Sequence, residues 1–239
     1  PSCTGYLIEL AQEKGLELTE EIKEFKKSID IMDNAEYTKE DIKQCYYPQK
    51  SYNTSLQKLH MIGSMFHTRD RNLNDEIFYT LLTNKLGDTP ISTELINQLQ
   101  PLMFHNAQLK GFSDWRDNVD TYLEYNDEVG CVMQDDRKAK FKRGVVDRFY
   151  IYMKFPQASY GINLKVVDEK IARIGIGSNI FNKERCKVDI SKLCKTVGKN
   201  FGEGSGGGHY HVGGCTINPD NCDEAIKFIL EVFKRGSIE

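Results

Sequence analysis

The sequence predicts an α/β protein in two parts, a helical first half followed by a smaller part of short strands and helices. Three observations carry this. From Leu56 to Asn126 the apolar residues recur mostly at helical spacing. After residue 128 they fall into short runs, Val129–Met133, 160–167 and 170–176, that read as strands. In the last third, Gly206-Gly207-Gly208-His209 followed by Val212-Gly213-Gly214 reads as a small-ligand or phosphate-binding loop.

The elements follow in order. Ser2 is a helix N-cap, Tyr6, Leu7, Leu10 and Ala11 form a helical stripe, and Gly15 ends it. A charged helix covers roughly Thr19 to Lys27. Ile29-Asp30-Ile31-Met32-Asp33 is a short apolar run ending on an acid. Ligands gather at the carboxyl ends of strands in α/β proteins, which makes Asp33 a candidate ligand, with a solvated turn as the plainer reading. Leu59, Ile62, Gly63 and Phe66 share one face, and Ile77, Phe78, Leu81 and Leu82 another. Thr89-Pro90 breaks the chain, Ser92 or Thr93 restarts it, and Leu99, Met103, His105, Ala107 and Leu109 mark a longer helix. This helical middle ends near Asp127. Val129–Met133 is then a strand, Asp135-Asp136 a turn, and Tyr150–Phe155 an aromatic and apolar segment stopped by Pro156. Two strands flank Asp168-Glu169, a short helix Ile190–Val197 follows the Asp189 cap, and a strand Cys215–Ile217 and a helix Asp223–Lys234 close the chain.

The 239 residues suit one large domain or two small ones, and the 39% hydrophobic and 28% charged content is that of a folded soluble protein. A formal net charge of −3 excludes a surface built throughout for polyanions, so any such site is a local patch. No run of 18 apolar residues exists, which predicts no membrane span. Pro1-Ser2-Cys3-Thr4 lacks the features of a signal peptide and lacks Met, so the chain is expected to be processed, trimmed or a fragment. The seven cysteines are odd in number, scattered and without a CxxC pair, which predicts free thiols and a cytoplasmic location.

Seven of the thirteen residues from 202 to 214 are glycine, a conformational-entropy cost that a purely structural loop has little reason to bear. The loop lacks the GK[ST] of a P-loop, and its order, after a helix and before a strand, is not that of the dinucleotide fingerprint. His209 and His211 alternate and would face one side of an extended segment. A metal pair is one reading. Phosphate or base contact by His209 is favoured, and His211 reads as a packed or solvated imidazole.

Gly206 to Gly214 resembles the GGGHxxAAG signature that closes the DHHA1 domain of DHH-family phosphoesterases, RecJ-like and nanoRNase-like, with Val212 and Gly213 where the family prefers two alanines. The resemblance runs back through Tyr160–Leu164, Arg173–Asn179 and Val188–Leu193 and covers roughly 129 to 239. Many relatives end the second of these segments in an Arg-Ser pair; Gly177-Ser178 stands here, so one phosphate-binding guanidinium is missing from that place. Ile31-Met32-Asp33-Asn34-Ala35 resembles the last metal motif of the DHH domain, and Pro1–Gly5 the helix after the DHH triplet. The triplet itself is absent: none of the five histidines follows an Asp. A piece of a longer enzyme is the expectation, a naturally shortened protein the alternative.

The resemblance implies the C-terminal, helical part of a DHH domain with its linker helix over 1–128, and a smaller mixed-sheet α/β DHHA1 domain over 129–239. It implies Mn²⁺ as cofactor, Asp33 as a metal ligand, and attack of a metal-activated water on phosphorus. Gly206, Gly207, Gly208 and His209 would position the substrate, helped by Ser178 and Asn179. The expected partner is a phosphate-containing small molecule or short oligonucleotide: a nucleotide, cyclic dinucleotide, phosphonucleotide or polyphosphate. No membrane is expected, and a homodimer is left open. The rival reading is a non-catalytic nucleic-acid- or nucleotide-binding module, as in alanyl-tRNA synthetase relatives, using Arg137, Lys138, Lys140, Lys142 and Arg143 around Phe141. Trp115 reads as packing, and His60, His67 and His105 as ordinary helix residues.

Overall fold

The computed structural model describes residues 2–15, 17–46, 54–65, 118–121, 123–138 and 149–238, with isolated positions between 72 and 99. Phe66, His67, Asp70, the run 77–82, the restart at Ser92 or Thr93, residues 103–111, Trp115 and the basic residues 140–143 lie outside them. The chain divides into two compact units, Pro1–Trp115 with Arg143–Val146, and Arg116–Lys142 with Asp147–Glu239.

The first unit contains α1 (Cys3–Glu13), α2 (Glu20–Asn34), α3 (Lys39–Tyr46) and α4 (Ser55–Met65). The Ser2 hydroxyl accepts from Gly5 N at 2.9 Å and Thr19 Oγ1 from Ile22 N at 3.3 Å, so both expected caps are in place. The stripe on α1 is only partly buried, with Tyr6 and Leu7 exposed. Ile29–Asp33 is not a strand but the last two turns of α2. Ile22, Phe25, Ile29 and Met32 stand at i, i+3, i+7 and i+10, so the apolar run continues the helical stripe before it, and no Gly or Pro interrupts. The helix stops where Ala35 turns left-handed (φ 51°). Asp33 therefore sits, exposed, in a helical last turn rather than at a strand end.

Asp30 ties α1 to α2. It accepts from Ser2 N at 2.7 Å and from Lys26 Nζ at 3.0 Å, and Gly5 carries no side chain because a Cβ there would collide with its carboxylate. Hydrogen bonds from Ser2, then from Lys26, hold the Asp30 carboxyl at about 2, below its ordinary 3.8. A carboxyl depressed in the folded state stabilises fully above its unfolded value, and that contribution fades as pH falls toward the folded value. The stability gap between the native chain and Asp30→Asn, measured by urea unfolding, is therefore expected to be constant from pH 7 to 5 and to close between pH 4 and 2. A pH-independent gap would show that the Asp30 contacts do not form.

The second unit is one six-stranded sheet with its helices. It comprises β1 (Leu123–Asn126), β2 (Cys131–Asp135), α5 (Tyr150–Lys154), β3 (Tyr160–Val166), β4 (Ala172–Ser178), α6 (Ile190–Phe201), β5 (Gly206–His209), β6 (Val212–Ile217) and α7 (Cys222–Arg235). The strand order is β1-β2-β3-β4-β6-β5, with β2 and β3 parallel and every other pair antiparallel. Two expectations are corrected here. Leu123–Asn126, placed in the helical middle, is a strand: Leu123 and Tyr125 share one side, and a turn through Gly130 (φ 61°) returns the chain into β2. The glycine loop is a hairpin, with Gly206–His209 and Val212–Ile217 paired along their length.

One face of the sheet is the core. Tyr160, Ile162 and Leu164 of β3, Ala172, Ile174 and Ile176 of β4, and Cys215 and Ile217 of β6 are buried with the apolar stripes of α6 and α7. Tyr160 stacks on Phe233 at 3.9 Å between ring centroids. Asp135, buried at the end of β2, takes a bidentate grip from Arg137, whose Nη2 also reaches Asp223 of α7 at 2.7 Å. Lys138 pairs with Glu124. Two cations of the stretch singled out for nucleic acid are thus already engaged within the fold.

Candidate functional site

Side chains alternate across a strand, so the residues between the core positions line the opposite face. On β4 these are Arg173, Gly175 and Gly177; on β3, Gly161, Asn163 and Lys165; on β6, Val212, Gly214 and Thr216. The register aligns them in rows. The central row runs Gln134, Asn163, Gly175, Gly214, Gly207 across β2, β3, β4, β6 and β5. Beside it runs Val132, Gly161, Gly177, Val212, His209, and on its other side Lys165, Arg173, Thr216.

The glycines of this sheet fall into two kinds. Some are demanded by packing. A Cβ on Gly198 would collide with the Ser205 carbonyl, one on Gly206 with the Cys194 carbonyl, and one on Gly213 would stand 2.7 Å from Gly207 O and 2.9 Å from Cys194 Sγ. On Gly161 it would meet Ile151 Cδ1 at 2.5 Å and Tyr152 Oη at 2.6 Å. The others are not. A Cβ on Gly175 would touch only Asn163 Cβ at 3.9 Å, on Gly207 only Lys195 Cε at 3.9 Å, and on Gly214 only Ile174 O at 3.4 Å. None of these three needs a positive φ. Nothing in the fold asks for glycine there, and the three adjoin one another in one row. They form a floor of bare backbone on which a flat or anionic ligand can lie.

The margins of the floor are polar and cationic. At the β5 edge stands Lys195, reaching from α6 to within 3.9 Å of where a Gly207 side chain would begin. His209, exposed, closes the neighbouring row. Arg173 and Lys165 lie at the opposite end, roughly 13 Å along the strands, and the floor from β3 to β5 is roughly 14 Å wide by ordinary strand spacing. Neither Arg173 nor Lys195 forms an ion pair among the described residues, and the three rows contain no carboxylate. A chain of net charge −3 thus gathers cations on this face. On the side of Gly161 and Gly177, Tyr152 of α5 limits the floor. Its hydroxyl donates to Gly177 O at 2.9 Å, and burial pushes the phenol well above its ordinary value, so it remains a neutral donor.

Of the residues expected to bind substrate, Gly207 and His209 lie on this face. Gly206 faces α6, and Gly208 (φ 146°) forms the tight neck of the hairpin. Ser178 is buried on the core side. Its N–H donates to His211 O at 2.8 Å and its hydroxyl lies 3.2 Å from His211 Nδ1. Ser178 thus fixes the hairpin turn, and His211 is the packed imidazole expected. The turn at Tyr210-His211 sends the two histidines to different places instead of one side. Tyr210 O accepts from Ile190 N at 3.0 Å, the first turn of α6. Asn179 is fully buried; its amide donates to Ala158 O at 2.8 Å and accepts from Phe181 N at 3.0 Å, so it is structural. Asp33 belongs to the first unit, and no group of three or more His, Cys, Asp or Glu able to hold a metal occurs among the described residues. Lys195, Arg173, Asn163, Gln134 and Tyr152 escaped sequence reasoning. A signal was present in Arg173-Ile174-Gly175-Ile176-Gly177, where apolar residues alternate with an outward face made of Arg and Gly.

No known family profile matches the sequence, and no curated protein does. Among solved structures the chain is similar to a pGpG-specific phosphodiesterase, PggH, from Vibrio cholerae, at 16% identity and a TM-score of 0.58, over 88% of this chain and 65% of that one. The likeness is one of fold. It bears out the α/β architecture and the DHH/DHHA1 resemblance at that level, and this chain spans less than two thirds of the length of that enzyme. A DHH domain from a member of the S1P family of ribosomal proteins aligns over 75% of this chain and 42% of its own, at 16% identity and a TM-score of 0.46, too low to carry an argument. Among the described residues no helix is long and apolar enough to cross a membrane.

The two kinds of glycine are separable by stability alone. Gly175→Val is expected to change the unfolding free energy by under about 1 kcal/mol, since Val suits an open strand face. Gly213→Val is expected to cost about 1–3 kcal/mol or more by overpacking against Cys194. Denaturant unfolding of both variants checks the assignment, and equal losses would remove the distinction.

Proposed function

We propose that this chain is the substrate-binding part of a phosphodiesterase of DHH/DHHA1 type, and that its floor of Gly175, Gly214 and Gly207 holds a nucleotide or short oligonucleotide. The observation that carries the reading is a row of glycines the fold does not need, ringed by unpaired cations. Phosphate oxygens take charge-assisted hydrogen bonds from Lys195, Arg173 and His209, and a base lies flat where no side chain intervenes. The glycine–histidine motif of the DHHA1 resemblance and the fold shared with a pGpG-specific phosphodiesterase both support this chemistry. On the same reading residues 129–239 are the substrate-binding domain and 1–128 part of the catalytic one. Free thiols at all seven cysteines suit a cytoplasmic setting.

A divalent metal, Mn²⁺ for carboxylate and imidazole ligands, would supply the activated water of such an enzyme. Asp33 is the carboxylate proposed for it, but the described residues around it do not form a metal site, and no step is drawn through the metal. What this chain's own residues do is bind and orient. Lys195 and Arg173 fix the two ends of an anionic ligand, and Tyr152 limits its travel toward α5.

Calorimetric titration of the chain with the linear dinucleotide pGpG tests the reading. Binding is expected to weaken with salt and to fall about tenfold or more in Lys195→Met and in Arg173→Met, the loss of one charge-assisted bond each. Gly214→Leu, which covers the floor, is expected to abolish it while the protein stays folded. Unchanged binding in Gly214→Leu would refute the site.

A further inference from the structure

Gln134 heads the central row at its β2 end, next to Asn163 and two strands from Gly175. Met133 packs against the core, so strand alternation puts Gln134 on the glycine face. It is only 2% exposed, and its Nε2 finds no hydrogen-bond partner among the described residues. Buried amide donors are nearly always satisfied, and one left unmet is a standing penalty in the unliganded fold. An apolar residue of similar length would fill the same strand position without it. A donor kept at that cost, in line with an empty floor, is matched by an acceptor that arrives from outside.

We propose that Gln134 is a specificity-determining residue that reads the keto edge of a nucleobase lying on the Gly175–Gly214 floor. The inference rests on the nucleotide reading given above. Guanine presents O6 and N7, two acceptors side by side, whereas adenine places an amine donor beside N7. The Gln134 NH₂ group therefore complements guanine and opposes the adenine amine. Gln134 and Gly175 are roughly 10 Å apart by strand spacing, a gap shared by the base and the glutamine side chain. Asn163, whose Cβ borders the space over Gly175 at 3.9 Å, lies between them in the row.

The test is equilibrium binding of pGpG and pApA to the 239-residue chain, with thermal unfolding alongside. The native chain is expected to prefer pGpG by about tenfold, the discrimination of one base-edge contact. Gln134→Met is expected to weaken pGpG about tenfold, leave pApA unchanged and leave the melting temperature equal or higher, because no internal bond is lost. Gln134→Glu, which presents an acceptor in place of the donor, is expected to turn the preference toward pApA. Guanine preference that survives in Gln134→Met overturns the proposal. So does an equal loss for both dinucleotides with a lowered melting temperature, which marks a structural role. A native chain that binds both dinucleotides equally removes the Gln134 assignment alone, and one that binds neither removes the nucleotide reading together with it.

Discussion

The close approach of α6 to the β5–β6 hairpin is the constraint on which the rest of the sheet face depends. Backbone meets backbone at Gly198 and Gly206, and Cys194 presses against Gly213. Two further bonds lock the hairpin turn: Ile190 N to Tyr210 O, and Ser178 N to His211 O. A hairpin has little stability on its own, and one built of glycine has less, since each ordered glycine gives up the most chain entropy. The helix supplies the burial that the hairpin's side chains cannot. Its register, once set from the core side, decides that Gly207 and Gly214 are bare on the other side and that His209 stands at the edge.

The same contact carries charge to the site. Lys195 sits one residue after Cys194 on α6, so the turn of helix that packs beneath the hairpin also sends a cation around its edge. Arg173 comes from the strand that supplies Gly175 and Gly177, two and four residues earlier on one face. A guanidinium missing at position 177, where the resembled family often carries one, is thus present elsewhere on the same strand face. The positive margin is a product of register, which is why the overall charge of −3 says nothing about it.

Much of this was legible in the sequence. The caps at Ser2, Thr19 and Asp189, the strand pair over 160–176 and the last helix follow local rules of capping and periodicity. The glycine–histidine run drew attention to the right hairpin. Three things were not legible. Asp33 looked like the end of a strand because a five-residue apolar run has no period of its own; its helical character depends on Ile22 and Phe25 upstream. Gly206 to Gly214 looked like a loop because glycine is a poor strand former, and only packing by α6 overrides that preference. Ser178 and Asn179 looked like ligand contacts because polar residues after a strand often are, yet their partners, His211, Ala158 and Phe181, are set by tertiary structure. Gln134 and Lys195 carry no local signature at all. They become visible only when strands distant in sequence are laid side by side.

The division of the glycines has a consequence for how this chain changes over time. Folding itself keeps Gly198, Gly206 and Gly213, because any other residue there strains the backbone against its neighbour. Folding does not keep Gly175, Gly207 or Gly214, where a larger residue fits and suits a strand. Only use can hold them. In a lineage that ceased to bind its ligand the floor would fill with side chains while the packing glycines stayed, so the two sets keep separate records, one of the fold and one of the work it does.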